Sequence, residues 1–274
     1  MKFPIALQLY SVRDDMEKDF YGTLEKVKEL GYDGVEFAGL FGEAPEKIKA
    51  KLAELEMEPI SAHVPYYDML ENPESVLKDY KEIGCKYVVV PYLTEECRPG
   101  TDGFKDTVKG IRKIGEVAKN LGLQLLYHNH DFEFIKIDGE YALDILYSEI
   151  PSEYLQTEID TCWVNVGGEN PAKYIEKYTG KSPVVHLKDF VGGKDGGALY
   201  KLIGIDEEET AEKTEKSFEF RPVGYGVQDF KAILESAEKA GASWVVVEQD
   251  DPSMGKTPIE CAEMSINFLK EINA

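Results

Sequence analysis

Residues 87–130 read YVVVPYLTEECRPGTDGFKDTVKGIRKIGEVAKNLGLQLLYHNH, and this stretch decides the fold. Tyr87–Tyr92 is a short β-branched run that predicts a buried strand. Apolar residues then recur at helical spacing over Phe104–Leu121, Gly122 is able to adopt the left-handed conformation that ends a helix, and Gln124–His130 is again strand-like. Strand, amphipathic helix, glycine and strand together make one β/α unit of a parallel sheet.

The same unit repeats along the chain, with Gly31, Gly84 and Gly241 in the position of Gly122. Eight units close a (β/α)₈ TIM barrel, and a doubly wound open sheet is the competing arrangement. The 274 residues match the ~250 typical of one barrel, so we expect a single α/β domain over residues 1–274. The predicted strands are Ile5–Ser11, Gly34–Ala38, Pro59–His63, Tyr87–Tyr92, Gln124–His130, Leu155–Asp160, Pro183–Asp189 and Trp244–Gln249.

Two stretches interrupt the repeat, and both follow a predicted strand. Residues 192–220 are acidic and rich in Gly and Lys, and they are far longer than an ordinary βα loop. They form either a lid or a disordered insertion. Residues 91–103 form a shorter loop, which we expect at the same face of the barrel.

Composition restricts the partners and the compartment. The net charge of −21 disfavours nucleic acid, because such binding draws on Lys and Arg contacts to phosphate. Neither a signal-peptide pattern nor a run of 18 apolar residues is present, so we expect no membrane association and a cytoplasmic protein. The four cysteines are too scattered for a disulfide framework and are interpreted as reduced: Cys85, Cys97, Cys162 and Cys261.

The four histidines of the chain give the strongest functional signal. His63, His128, His130 and His186 all fall at or near the C-terminal ends of predicted strands. Catalytic residues of barrel enzymes come from these strand ends, whereas buried structural histidines have no such preference. We therefore predict an active site at the C-terminal face.

Carboxylates lie at matching positions: Glu36, Glu158, Asp160, Asp189 and Glu248. Several ionised carboxylates confined at a barrel rim raise one another's pKa unless a cation offsets them. Mixed His and carboxylate ligands favour Mn²⁺ most, with Zn²⁺, Co²⁺ and Mg²⁺ as the other ions considered. One divalent metal is therefore predicted.

Strand alternation reduces the number of candidate metal ligands, because only every second residue of a strand faces the same side. Val246 would fill the barrel layer beneath Glu248, and Asp189 would face the helix layer or the loop, where a carboxylate can orient a metal-bound histidine. Glu158 could instead be a buried partner of Lys188. Three pairs should point the same way: His128 with His130, Glu158 with Asp160, and His186 with Lys188.

Two further residues are weaker candidates for substrate binding. Glu133 follows the fifth strand, and Arg221 precedes Gly224 and Gly226, glycines that more often make only a turn. The chain contains no P-loop, no G-x-S-x-G and no dinucleotide fingerprint after the first strand. Nucleotide-site and serine-hydrolase chemistry are thereby disfavoured.

Seven motifs resemble those of the xylose isomerase-like TIM barrel superfamily, which includes sugar isomerases and epimerases, inosose dehydratases and endonuclease IV. They span the chain in order, and they do not fix the substrate. The motifs are QLYSVRDD (8–15), GYDGVEFAG (31–39), SAH (61–63), YHNHDFEF (127–134), EIDTCWV (158–164), HLKDF (186–190) and VVVEQD (245–250).

The resemblance implies one divalent metal held by His128, Asp160, His186 and Glu248. Many epimerases of this superfamily carry a Glu-Asn pair on the fifth strand, where this chain has His128 and Asn129. That departure counts against a two-glutamate epimerase and is closer to the branch containing inosose dehydratases and keto-glycoside lyases.

The resulting hypothesis is a metal-dependent isomerase or epimerase that abstracts a proton next to the carbonyl of a keto or aldo sugar, through an enediolate. His130 or Glu248 takes the proton. His63 and Lys188 are assigned as a second acid or a hydroxyl ligand. Four residues are assigned to substrate binding: Glu36, Glu133, Glu158 and Arg221.

Three alternatives remain open at this point. A lyase would eliminate a β-substituent from a keto-sugar, a keto-inositol or a 3-keto-glycoside, and would work with a companion oxidoreductase that supplies the ketone. A metal-dependent phosphodiesterase like endonuclease IV would need a basic rim and more ligands. A non-catalytic subunit would have lost the ligands. The partner we expect is a small carbohydrate, and a homo-oligomer is left open.

Overall fold

Eight parallel strands close into a barrel in the computed structural model, which describes residues 3–193 and 218–272. Their spatial order follows the chain, and the last strand pairs with the first, with Val245 opposite Ile5. The barrel strands are β1 (Ile5–Gln8), β2 (Gly34–Ala38), β3 (Glu58–His63), β4 (Tyr87–Val90), β5 (Gln124–His128), β6 (Gln156–Asp160), β7 (Val184–Leu187) and β8 (Trp244–Val247). The predicted (β/α)₈ TIM barrel is confirmed.

Helices connect the strands and surround the barrel. The described helices are α1 (Arg13–Lys18), α2 (Phe20–Leu30), α3 (Pro45–Glu54), α4 (Tyr66–Glu71), α5 (Pro73–Ile83), α6 (Phe104–Asn120), α7 (Ala142–Glu149), α8 (Thr161–Val166), α9 (Pro171–Lys177), α10 (Phe230–Ala240) and α11 (Pro258–Ile272). Between them lie short 3₁₀ turns, one of which, Glu95–Cys97, occupies the predicted loop at 91–103.

Five predicted strands, those of β1, β4, β5, β7 and β8, continue past the observed strand ends, and the chain leaves the barrel for a different reason after β1 and after β7. β1 ends at Gln8 because Leu9–Val12 forms a 3₁₀ turn that the Gln8 side chain caps. β7 ends at Leu187, and the chain turns out of the barrel. Asp189–Val191 then pairs antiparallel with Glu219–Arg221 in a separate two-stranded sheet.

The predicted helix-ending glycines have the expected backbone conformation. Gly31 has a φ of 94° and Gly84 a φ of 113°, and Gly122 and Gly241 are left-handed as well. A side chain would be strained there, so glycine allows each helix to stop and the chain to enter the next strand directly.

Two layers of apolar side chains build the core. The larger lies between barrel and helices, where the amphipathic helix α6 buries Ile111 and Ile114 completely. The smaller fills the interior of the barrel, as predicted for Val246. Its residues are Ala6, Ile60, Val89, Leu126, Val184, Trp244 and Val246. His128, His186 and Glu248 each stand two residues after a residue of this apolar plug, and they therefore lie one level above it.

Three further predictions concern the cysteines, membrane-spanning helices and the long segment after β7. All four cysteines are buried and without a disulfide, as expected of reduced thiols. Within residues 3–193 and 218–272, every helix is too short or too polar to cross a membrane. The predicted lid or disordered insertion falls largely on residues 194–217, outside the described residues.

Candidate active site

The four histidines form one cluster at the C-terminal face of the barrel. The ring centroids of His63 and His128 are 4.9 Å apart, and those of His128 and His186 are 4.7 Å apart. His130 follows at 5.3 Å from His128. β3, β5 and β7 each deliver a ring to the same place because their side chains alternate inward at their C-terminal ends.

Four side chains above the apolar plug converge as a candidate ligand group, defined here as His128, Asp160, His186 and Glu248. One ligand atom from each lies within 4.8 Å of all the others. His128 Nε2 is 3.8 Å from Asp160 Oδ2, and His186 Nδ1 is 3.1 Å from Glu248 Oε2. The structure thus brings together the set that the resemblance implied.

Asp160 gives a direct test of whether a cation fits this group. Its Oδ1 accepts the Trp163 amide at 2.8 Å, but its Oδ2 is buried without a hydrogen-bond partner among the described residues. Burial also raises the pKa of the Asp160 carboxyl. A divalent cation would satisfy that oxygen and offset the buried negative charge, so the donor set fits a metal.

Two fully buried carboxylates, Glu36 and Glu158, lie directly beneath the histidines. Glu158 Oε2 is 2.7 Å from His63 Nε2, 3.3 Å from His128 Nδ1 and 3.2 Å from His186 Nε2. Metal-binding histidines characteristically direct their second ring nitrogen at a carboxylate, which fixes the ring. Glu158 occupies that position for both histidines of the ligand group.

Glu36 extends this support one step deeper into the barrel. Its Oε1 is 2.7 Å from His186 Nε2 and accepts a 2.7 Å hydrogen bond from Gln8 Nε2, and its Oε2 accepts one from the Ser61 hydroxyl. Burial acts to raise the pKa of Glu36, but His63 and His186 outweigh it and lower that pKa. Burial and the Glu36 charge raise the pKa of Glu158.

Lys188 forms a second charged contact, above the histidines. Its Nζ lies 2.6 Å from Asp250 Oδ2 and 3.1 Å from Glu248 Oε2. Burial would lower the pKa of Lys188, yet these carboxylates raise it, so the ammonium stays charged. The interpretation of Glu158 as the partner of Lys188 is therefore wrong, since Glu158 faces the histidines instead.

Asp189 faces a loop, as predicted, but the suggestion that it orients a metal-bound histidine there is wrong. Its carboxylate accepts backbone amides of the loop before α10, from Gly224 (3.1 Å), Gly226 (2.8 Å) and Gln228 (3.2 Å). A Cβ at Gly226 would lie 2.3 Å from Asp189 Oδ1, so the close approach requires glycine. Asp189 fixes a loop rather than a ligand.

His130 stands beside the ligand group in an aromatic environment. Its ring stacks on Phe132 with centroids 5.5 Å apart and lies 5.1 Å from the Trp163 ring. Glu133 Oε2 accepts the His130 backbone amide at 2.8 Å, and Tyr127 donates its hydroxyl to Glu133 Oε1 at 2.5 Å. Burial raises the pKa of Glu133 to about 8.

A cavity of about 490 Å³ opens above these residues. Five of the predicted site residues line it, namely His63, His128, His130, Lys188 and Glu248. The other predicted residues are not among its lining. They are Glu36, Glu133, Glu158, Asp160, His186 and Arg221.

Among the residues away from the lining, only Arg221 stands clear of the buried network. It pairs with Glu219 at 3.1 Å on the outer two-stranded sheet. Glu36, Glu133 and Glu158 are at most 1% exposed. Glu36 and Glu158 lie beneath the histidine rings, whereas Glu133 lies in the turn after β5 and contacts no histidine ring of the ligand group.

Sequence reasoning did not assign a role to Asp250, Tyr10 or Tyr92, which all line the cavity. All three lie beyond the observed ends of β8, β1 and β4, where strict alternation no longer applies. Tyr10 and Tyr92 nevertheless lie at the C-terminal ends of predicted strands, and Asp250 directly follows one. That position is the sequence signal that could have found them.

A protein-family model described as xylose isomerase-like TIM barrel matches residues 24–272. Among curated proteins, the inosose dehydratase of Lacticaseibacillus casei is 22% identical, over 93% of this chain and 92% of its own length. The inosose dehydratase of Geobacillus kaustophilus is 23% identical over 91% and 86%.

A solved structure with the same fold is a sugar phosphate isomerase/epimerase from Parabacteroides distasonis. It has a TM-score of 0.77 and 20% identity, over 98% of both chains. The IOLI protein with a bound zinc atom has a TM-score of 0.73 and 15% identity, over 100% of this chain and 98% of its own.

Proposed function

The chain belongs to the xylose isomerase-like TIM barrel family, and on that premise we propose that it is a divalent-metal-dependent enzyme of the sugar isomerase and epimerase type. It would abstract a proton next to the carbonyl of a keto or aldo sugar. The observation that carries the proposal is the convergence of His128, Asp160, His186 and Glu248 within 4.8 Å, beside a cavity of sufficient size for a sugar.

The ligand group is where a metal would be held. Two histidine nitrogens and two carboxylates suit Mn²⁺, which we propose as the ion, and they also suit Zn²⁺. When bound, the ion would supply Lewis-acid stabilisation of the negative charge that develops on the sugar oxygen. His128 and His186 would be held in their ligating orientation by Glu158.

His130 is our choice for the group that removes the proton. It lines the cavity next to His128, and Phe132 and Trp163 hold its ring. Glu248, the alternative base, already contacts Lys188 and His186 and belongs to the ligand group.

Lys188 would stabilise the oxyanion. Its ammonium lines the cavity, is buried, and is aligned by Asp250 before substrate arrives. A preorganised charge of this kind acts on the transition state without further rearrangement. His63, which also lines the cavity, would donate a proton or a hydrogen bond to a second oxygen.

The test combines metal content with proton exchange. The purified protein should retain about one divalent metal per chain, and both Asp160→Ala and His186→Ala should lose it. Keto-sugars incubated in deuterium oxide should exchange a proton next to the carbonyl, and His130→Gln should abolish exchange while retaining the metal. Metal retention in both ligand variants, or exchange unchanged in His130→Gln, would refute these assignments.

A lyase outcome is the second candidate, and His128 is the observation that favours it. A histidine at this position leaves the fifth strand without the carboxylate that a two-carboxylate epimerase would use. After removal of the proton, the C–O bond at the β-carbon would break, and the hydroxyl would leave as water with a proton from His63 or Lys188. Curated relatives named inosose dehydratase point the same way.

Product analysis distinguishes the two outcomes. Loss of water from a keto-inositol or keto-sugar gives an unsaturated ketone with a new ultraviolet absorbance. Epimerisation or isomerisation instead leaves the mass unchanged. Deuterium exchange without any change of mass would therefore reject the lyase.

A further inference from the structure

We infer that the cavity takes a sugar derivative bearing an apolar substituent, such as an aryl or alkyl glycoside, rather than a bare monosaccharide; this rests on the proposed function for the position of the sugar ring. The inference comes from the cavity's two unlike walls. The ionisable wall contains His63, His128, His130, Lys188 and Glu248, which come from β3, β5, β7 and β8 or directly follow them.

The second wall is largely apolar and lies on the side of β2, β3 and β4. Four of its residues end or follow β2, β3 and β4, and helix α5 contributes two more, so the cavity extends outward from the barrel axis. These residues are Ala38, Val64, Pro65, Val76, Tyr80 and Pro91. The carboxylate of Asp68 lies at the exposed edge of this wall.

The volume leaves room beyond one sugar ring. A hexose has roughly twelve non-hydrogen atoms; a generous ~30 Å³ for each of them, the volume of one water molecule in the liquid, gives about 360 Å³. The cavity measures about 490 Å³. A sugar held at the ionisable wall would therefore leave the space beside Val76 and Tyr80 for another group.

The chemistry of that space selects the group. A second sugar ring would bring several hydroxyls that need partners, and on this wall only Tyr80 and, at the exposed edge, Asp68 carry a polar side-chain group. A phosphate in this space would need a cation, but among the described lining residues Lys188 is the single Lys or Arg, and it lies at the ionisable wall in contact with Asp250 and Glu248. An aryl or alkyl group buries apolar surface against this wall without such losses.

Binding of matched glycosides tests the inference without requiring turnover. Phenyl and methyl glucosides, in both anomers, would be titrated calorimetrically into the metal-loaded wild-type protein, with cellobiose as the two-sugar probe. Phenyl glucoside should bind tighter than methyl glucoside by about tenfold, equivalent to ~1.4 kcal/mol. Equal affinities, or tighter binding of cellobiose than of phenyl glucoside, would overturn the inference.

Two variants connect the preference to this wall. Val76→Trp should fill the space and reduce the phenyl preference to about twofold, with methyl glucoside binding unchanged. Val117→Trp, at a half-buried position on α6 outside the cavity, is the matched control and should keep the preference. Val76→Asn, a smaller change, should weaken it if the Trp variant does not fold.

The inference would be refuted if Val76→Trp kept the full preference for phenyl over methyl glucoside, because the phenyl group would then bind elsewhere. If Val76→Trp does not fold, the same criterion applies to Val76→Asn. Failure of the proposed function appears separately, as absent deuterium exchange, because this binding preference is measured on unreactive glycosides.

Discussion

Glu158 Oε2 lies 2.7 Å from His63 Nε2, and the same oxygen lies within 3.3 Å of ring nitrogens of His128 and His186. One carboxylate thus contacts three histidines that arise from three different strands. Two of those histidines direct their other nitrogen toward Asp160 or Glu248. Glu158 therefore acts as a positioning residue for the candidate metal ligands, although it does not reach the cavity.

Replacing Glu158 should weaken metal binding without removing a ligand. We expect Glu158→Gln to lower the affinity for Mn²⁺ or Zn²⁺ by about 10- to 100-fold, because an uncharged amide replaces the carboxylate that the histidine rings share. Competition with a chromophoric chelator measures the affinity. Glu133→Gln, a buried carboxyl outside the cluster, is the control, and an affinity in Glu158→Gln equal to that of this control would contradict the positioning role.

Metal removal should destabilise the wild-type protein. A ligand that binds only the folded state at 100 times its dissociation constant stabilises it by about 2.7 kcal/mol. Chelation should therefore lower the Tm of the wild type, and the Tm of Asp160→Asn should barely respond. Asp144→Asn, which changes a carboxylate bonded to Tyr174 on the outer helices, should respond as the wild type does. Scanning calorimetry with and without chelator measures the Tm change of each protein.

Removing Lys188 alone should lower the free energy of unfolding strongly, because its carboxylate partners remain buried. Lys188→Met leaves Asp250 and Glu248 buried without their cation, and we expect it to destabilise the fold by about 3–5 kcal/mol. Adding Asp250→Asn should recover part of that loss, since one uncompensated charge disappears. Urea unfolding of the single and double variants measures both effects, and a Lys188→Met variant as stable as wild type would exclude this coupling.

Glu133 should make stability fall as the pH rises. Its folded-state pKa is about 8 against an ordinary value of 4.5, so the folded state retains a proton that the unfolded state releases between these values. The stabilisation is complete below about pH 4.5 and is lost as the pH rises toward about 8, by at most ~1.4 kcal/mol per pH unit.

The matched variant for this pH dependence is Glu133→Gln, which cannot ionise. Urea unfolding of wild type and variant between pH 5 and pH 8, roughly the window set by the linkage relation, should show a steeper decline in the wild type. Parallel curves would show that Glu133 titrates normally in the folded protein.

Strand alternation explains why much of the site could be predicted from the sequence. His128 and Asp160 each end a strand, and a parallel barrel brings all its strand ends to one face. Strand alternation does not predict how deep in the barrel each inward-facing side chain lies. Glu158 pairs in register with His128, whereas His186 pairs with Asp160, so residues that look equivalent in sequence occupy different levels.

The path of the chain after β7 could not be predicted from the sequence either. Asp189 follows β7 at a position where a support for a ligand was expected, but the chain turns outward at Lys188 and presents the Asp189 carboxylate to the amides of Gly224 and Gly226. The turn depends on long-range pairing with Glu219–Arg221, and no local pattern announces it.

The pairing of Asp189–Val191 with Glu219–Arg221 holds the two ends of the chain between them side by side. Because the closure entropy of a loop grows only logarithmically, doubling its length costs only about 0.6 kcal/mol. Segments of different length and composition can therefore be exchanged between Val191 and Glu219 while the ligand group stays in place. The strand pair is a junction at which segments from other barrels of this family can be spliced without changing the ligand group.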